Sequence, residues 1–262
     1  MLASAYVAKL VLFKRLTFKL AHRDLKVQYS QSMIGISWAL IQPLTGLVLY
    51  TFLFDTVINT MGGNTVPYPL FVYSGVMHWM LFSAIVGRAG TALSANINIL
   101  KNWSFPRIIL PVSKTLVCLV EFAISLPILF GILWFYDFPL RWQMILSPLF
   151  VAMNILCALS IALWLSALTV RYRDFYHIIP YLVGFGIFVT PVFFPSTLIP
   201  EKYAFLTFFN PMSCAIEGFR WCLHGGTFDF IRYAPSILIT LFLSISGLVF
   251  FKRQELNIVD FI

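Results

Sequence analysis

The charges along this chain are sparse, and the apolar intervals between them predict its elements. Between Lys26 and Arg88 the only charge is Asp55, which leaves room for two crossings of about 20 residues each. The turn-rich run Met61-Gly62-Gly63-Asn64-Thr65-Val66-Pro67 divides that interval, so spans are expected near 35–58 and 68–87. A third is expected over about 112–136, with Glu121 inside it. Arg141 and Arg171 enclose 29 uncharged residues, the span 142–170. A fifth lies near 177–199, interrupted by Gly184, Gly186, Pro191 and Pro195. Arg232 and Lys252 bracket 19 uncharged residues, the span 233–251. The pattern predicts an all-α integral membrane protein with six transmembrane helices in one domain over 1–262.

The first 30 residues have a different pattern. At 100° per residue, Arg15, Lys19, Arg23 and Lys26 share one helical face, and Phe13, Leu16, Leu20 and Val27 share another. That is the pattern of a helix lying at a membrane interface, although a plain orientation signal explains the charges equally simply. It is not a signal peptide, because Lys9, Lys14, Arg15 and Lys19 interrupt any apolar core.

Basic residues then orient the spans. Fourteen of the 18 Lys and Arg fall in segments that would share one side, and Arg141, Lys202, Arg220 and Arg232 fall on the other. The positive-inside rule places both termini in the cytoplasm.

Composition excludes other classes. Sixty per cent of the residues are hydrophobic, 11% are charged and mean hydropathy is +0.88, whereas soluble domains carry about 25% charged residues. A soluble enzyme, a disordered chain and a nucleic-acid-binding domain are all excluded by that balance. The net charge of +8 belongs to the cytoplasmic segments. There the basic residues face only Asp24, Asp174, Glu255 and Asp260, while Asp137, Glu201, Glu217 and Asp229 balance the external four. This favours anionic inner-leaflet lipid and a cytosolic partner over nucleic acid.

Candidate chemistry is thin. The chain has no Gly-Lys pair and so no P-loop, no Asp-x-Asp and no His-x-x-x-His. No catalytic residue, metal site or cofactor of its own is expected. Cys214 and Cys222 are external, but eight residues on a helix rise about 12 Å, too far to bridge. Glu121 is the one carboxyl deep in a span. It either lines a polar path or dimer interface, or is hydrogen-bonded inside the bundle.

Three segments are more than connectors. Over 89–105, Leu93, Ile97 and Leu100 recur at helical spacing with Ser94, Asn98, Lys101 and Asn102 between them, which predicts a short amphipathic helix ending before Pro106. It would dock on a cytosolic partner or lie on the inner leaflet. Arg171-Tyr172-Arg173-Asp174 closes the fourth span. From Thr190-Pro191 to Arg232 the chain is too apolar for an open loop and too broken for a span. Two short re-entrant helices over 200–225 are expected, turning at Asn210-Pro211, since irregular backbone at that depth needs protein or a watery cavity around it. The 27 Phe, 11 Tyr and 7 Trp suit interfacial belts, and rings also suit a lining for a sliding sugar chain.

Taken together, the motifs resemble the Wzm family, the permease subunits of bacterial ABC exporters of O-antigen and related polysaccharides. The resemblance rests on Arg23 to Tyr29, Gly35 to Pro43, Phe105-Pro106-Arg107, Arg171 to Phe175, Pro191 to Pro195, Asn210-Pro211-Met212 and Glu217-Gly218-Phe219-Arg220. It implies a homodimer with two copies of a cytosolic Wzt-like ATPase, which binds the ATP and Mg. The dimer would enclose a channel for polysaccharide linked to undecaprenyl pyrophosphate, in the inner membrane. It also implies that 89–105, with Leu93, Ile97, Leu100 and Lys101, is the coupling helix. Arg15, Lys19, Arg23 and Lys26 would stand at the lipid-pyrophosphate entry, and Pro191, Pro195, Asn210, Pro211, Glu217 and Arg220 would belong to external gates. Capsule and teichoic-acid export permeases share this architecture. A drug or lipid exporter of the same superfamily is an alternative, and a membrane enzyme acting on polyprenyl-linked sugars a more distant one.

Overall fold

A computed structural model describes residues 12–30, 32–60, 66–102 and 105–257. Among them no strand forms, as expected where backbone polar groups must satisfy one another without water. The helices are α1 (Lys14–Ser30), α2 (Trp38–Thr60), α3 (Tyr68–Gly90), the short α4 (Ala92–Ala95) and α5 (Ile97–Asn102), and α6 (Ile109–Phe135). After them come α7 (Ser147–Arg171), α8 (Phe175–Val189), α9 (Glu201–Phe209), α10 (Pro211–His224) and α11 (Ala234–Asn257).

Five of the expected spans appear as helices long and apolar enough to cross a membrane: Gly35–Thr56, Tyr68–Gly90, Ile109–Phe135, Trp142–Arg171 and Ala234–Glu255. The fifth in chain order, expected over 177–199, is instead the 15-residue apolar α8. Fifteen residues rise about 22 Å, less than a hydrocarbon core of about 30 Å. Thr190, extended at ψ 138°, ends the helix ahead of Pro191. The third span starts at Ile109, three residues after Pro106, whose carbonyl accepts the Ile109 N–H in a turn.

The bundle is organised around α3. Seventy-eight per cent of its apolar stretch is buried, against 11% for α2. Thus α3 is the central helix, while α2 turns side chains such as Val48 and Phe52 outward. Helix α7 packs along both α3 and α11. A Cβ on Gly247 would lie 2.7 Å from the Ser160 carbonyl, and the Ser160 and Ser244 hydroxyls bond at 2.9 Å. Small residues let these two backbones approach, as dispersion-driven packing in lipid requires.

A second, smaller core lies at the α1 end, where Leu20, Leu93, Ile109, Leu110 and Phe251 meet. Helix α1 buries Thr17, Leu20 and Ala21 there. Val27, expected on the same apolar face, is 67% exposed. The inward stripe turns polar halfway along the helix and continues through Asp24, Gln28 and Tyr29.

Candidate functional site

Two polar junctions stand out, one at each end of α3. At the α1 end, Glu121 Oε1 accepts three hydrogen bonds. Gln28 Nε2 donates at 2.7 Å, the Tyr29 hydroxyl at 2.6 Å and Arg88 Nη1 at 2.8 Å. Arg88 also reaches Gln28 Oε1 at 3.3 Å. One turn away, Lys114 Nζ pairs with Asp24 at 2.8 Å, and Arg23 takes the other Asp24 oxygen. Glu121 is therefore hydrogen-bonded within the bundle, and it also lines a cleft beside Arg88. Burial first, then the bond to Glu121, holds the Tyr29 phenol above its ordinary range, so it stays a donor. Clefts flank Arg88 on both sides. One of about 110 Å³ is lined by Gln42, Ser83, Cys118 and Glu121, and one of about 280 Å³ by Asp24, Gln28, Thr91 and Lys114.

The basic face expected on α1 is present, with Arg15, Lys19, Arg23 and Lys26 all exposed. Just beyond α3, the segment expected as one helix over 89–105 is split into α4 and α5. Thr91 (φ −107°, ψ 5°) and Asn96 (φ −120°, ψ 31°) leave helical geometry. Their side chains bond back to the Gly87 and Ala92 carbonyls, the local competition that breaks helices at Thr and Asn. Leu93 is fully buried in the smaller core, Ile97 and Leu100 are half-buried, and Lys101 is exposed with Asn98. Trp103 and Ser104 lie outside the described residues.

At the opposite end, the expected break after α8 and the two short helices α9 and α10 converge on Arg220, which is 3% exposed. Glu217 and Arg220 share a face of α10 at i, i+3. Arg220 Nη1 donates to the Pro191 carbonyl at 2.6 Å and to Glu217 Oε1 at 3.0 Å. Nη2 donates to the carbonyls of Val192 and of Phe71, the latter at 3.1 Å. Nε points to the Ser74 hydroxyl at 3.4 Å. All five guanidinium donors are thus used, and the group lies over the Phe71 ring. Nearby, the Tyr68 hydroxyl donates to the Phe193 carbonyl at 2.7 Å.

Asn210 joins α9 to α10. Its Oδ1 accepts the Met212 N–H at 3.0 Å as an N-cap, and Nδ2 donates to Thr190 Oγ1 at 2.9 Å. Pro211 takes the first helical position, where its missing N–H costs nothing. Gly225, at φ +77°, ends α10. Of the expected gate residues, Pro191, Asn210, Pro211, Glu217 and Arg220 gather here, whereas Pro195 opens a separate 3-10 turn, Ser196–Leu198. Cys214 and Cys222 are both free and buried on α10.

Several members of these junctions carried no warning in the sequence. Arg88 reads as a charge beyond the end of a span, and Gly75 as an ordinary span residue. A Cβ on Gly75 would lie 2.3 Å from the Val192 carbonyl and 2.6 Å from Arg220 Nη2, so only glycine admits the irregular segment after α8. Among the described residues no group of three His, Cys, Asp or Glu side chains gathers to hold a metal. The two cation clamps, buried at Arg220 and partly exposed at Arg88, join elements of the bundle to one another.

Comparison with known proteins accords with that geometry. The O-antigen export system permease protein RfbA of Myxococcus xanthus is 30% identical over 216 residues, 82% of this chain and 82% of that one. RfbA of Klebsiella pneumoniae is 26% identical over 92% of each chain. The polysialic acid transport protein KpsM of Escherichia coli is 21% identical over 89% of this chain and 91% of its own. Residues 15–224 match the ABC-2 type transporter family, a stretch that includes all of α1 but its first residue, both arginine junctions and the end of α10. The chain belongs to the ABC-2 type transporter family.

Proposed function

We propose that this ABC-2 permease exports an O-antigen-type polysaccharide, linked to undecaprenyl pyrophosphate, across the bacterial inner membrane. The observation that carries this reading is the alignment with O-antigen export permeases over 82% to 92% of both chains. In it the protein works as a homodimer with two copies of a cytosolic ATPase. That partner binds ATP and Mg, since this chain has no P-loop of its own. Six spans, with α8 as a short fifth, place both termini in the cytoplasm, as the basic residues require.

The arrangement supports a division of labour. The exposed row Arg15, Lys19, Arg23 and Lys26 on α1 attracts the diphosphate head at the inner leaflet. With Leu93 turned inward, the surface of α4–α5 that meets the ATPase is Asn98 and Lys101, backed by Ile97 and Leu100. On the external side α9 and α10 are short enough to enter and leave the membrane on one face, and they form the gate with Pro191 and Arg220. Capsule export is the second reading, favoured by the likeness to KpsM.

Purified with its ATPase and reconstituted in vesicles, the permease is expected to move lipid-linked polysaccharide when ATP is supplied, and alone to hydrolyse no ATP. Hydrolysis by this chain alone, or transfer that is indifferent to ATP, would overturn the proposal. Vesicles loaded with a capsular polymer on its lipid anchor decide between the two readings.

A further inference from the structure

The two arginine junctions sit on the same helix. Arg220 binds Phe71 and Ser74 near the start of α3, and Arg88 lies near its end. We propose that α3 is the strut that carries movement between α4–α5 and α10, and that Glu121 and Arg220 are the positioning residues at its two ends. This rests on the reading of α4–α5 as the ATPase dock.

Four observations support a strut. First, Phe71 and Arg88 are 17 residues apart, a rise of about 25 Å, with no proline between them. Pro43, Pro127 and Pro180 lie inside α2, α6 and α8, where each removes a backbone hydrogen bond. Second, α3 is buried along its length, so it has no room to bend independently of its neighbours. Third, its gate end is joined backbone to backbone, because Gly75 lets the Val192 carbonyl in and Arg220 holds that carbonyl. Fourth, its other end is fixed by Glu121, which joins Arg88 to Gln28 and Tyr29 of α1. There Thr169 also donates to the Gly90 carbonyl at 3.1 Å and meets Ser94 of α4 at 3.3 Å.

A stiff element bound at both ends moves as one body, so a displacement of α4 at Thr91 reappears at Val192. Glu121 has a specific part in this. Without its charge Arg88 loses its tie to α6 and, through Glu121, to Tyr29 of α1, and a displacement of α4 is taken up at Thr91, where helical geometry is already broken, without moving the strut.

The test uses the permease–ATPase complex in nanodiscs of phosphatidylethanolamine and phosphatidylglycerol. Spin labels at Asn98 and Tyr176 report the α4–α5 end, and labels at Tyr203 and Phe230 report the gate end. In the wild type a non-hydrolysable ATP analogue is expected to shift both distances. In Glu121→Gln the Asn98–Tyr176 shift stays, and the Tyr203–Phe230 shift falls by about fivefold or more. Pairing Arg88→Glu with Glu121→Arg restores it, and Arg220→Lys weakens the gate response alone.

A full gate response in Glu121→Gln overturns the strut. So does loss of both shifts in that variant, which is a general disruption, and so does a charge-swapped pair that restores nothing. A wild type in which Asn98–Tyr176 shifts and the gate pair does not also overturns it. A wild type with no shift at Asn98–Tyr176 overturns the reading of α4–α5 as the dock, and the strut with it.

Discussion

The guanidinium carbon of Arg220 lies 3.5 Å from the centre of the Phe71 ring, while its Nη2 donates to the Phe71 carbonyl at 3.1 Å. One residue of α3 therefore offers Arg220 both a π face and a backbone acceptor. The planar fork can use the two together with the carbonyls of Pro191 and Val192, which an ammonium cannot.

Arg220→Gln is accordingly expected to lose about 3–5 kcal/mol, the usual cost of breaking a buried pair, because Glu217 and three carbonyls lose their donor. Arg220→Lys keeps the charge on Glu217 but cannot span the carbonyls, and is expected to fall between the two. Thermal unfolding in detergent, followed by size-exclusion chromatography, measures both. If Arg220→Lys matches the wild type, charge alone holds the junction and the fork is irrelevant.

Two glycines test which contacts can give way. A Cβ on Gly218 would lie 2.0 Å from Phe150 Cε1, a side-chain atom, whereas on Gly75 it meets the Val192 backbone carbonyl. Overpacking of this kind costs about 1–3 kcal/mol, so both alanine variants should melt early. Adding Phe150→Leu is expected to recover much of the loss in Gly218→Ala. No single side-chain truncation should recover Gly75→Ala, since the obstruction is main chain. Recovery of Gly75→Ala by a truncation at Val192 would show that the segment after α8 is free to shift.

Much of this architecture could be read from charge spacing, because the cost of burying charge in lipid fixes where spans begin and end. Five spans follow those limits closely, from the interval before Arg88 to the one after Arg232. The reading missed where neutral residues decide. Nothing in the charge pattern stops α8 at Val189; Pro191 marks an interruption in the sequence, but that the helix ends there and does not run on to 199 is set by Thr190 turning extended. Likewise the breaks on either side of α4 come from Thr91 and Asn96 bonding to the backbone, which apolar spacing at Leu93, Ile97 and Leu100 does not register. Apolar spacing also puts Leu93 on a face turned to a cytosolic partner or to the inner leaflet, whereas tertiary packing turns it into the smaller core. The partner of Glu121 was hidden for a different reason. Arg88 is 33 residues away in sequence, and only the packing of α3 on α6 brings the two together.

Asn210 offers a test of the α9–α10 turn. Asn210→Ala removes the N-cap of α10, worth about 1 kcal/mol, and also the bond to Thr190. Asn210→Asp keeps an oxygen for the Met212 N–H but has no N–H for Thr190 Oγ1. The expected order of resistance to limited proteolysis at the turn is wild type, then Asp, then Ala. If Asp and Ala are equally sensitive, the contact with Thr190 matters and the cap does not.

Cysteine labelling decides the orientation of the chain and whether the short α8 crosses the membrane. The native cysteines suit this use: Cys118 is 1% exposed and Cys157, Cys214 and Cys222 are fully buried, so the wild type should react with a maleimide only after unfolding. Lys19, Arg173, Glu201 and Arg232 are exposed, and each can be replaced by cysteine without touching either arginine junction. With a membrane-impermeant maleimide on intact spheroplasts, Glu201→Cys and Arg232→Cys are expected to label, while Lys19→Cys and Arg173→Cys label only after lysis. The decisive comparison is Arg173 with Glu201, which flank α8 and the broken segment 190–195. Its 15 residues fall short of the hydrocarbon thickness, so a crossing there depends on the extended stretch through Pro191 and Pro195 to complete the path. Protein around that stretch satisfies its carbonyls, as Arg220 does for Pro191 and Val192. Labelling of Arg173→Cys and Glu201→Cys from the same side would mean that α8 turns back within the membrane, leaving five crossings and the termini on opposite faces.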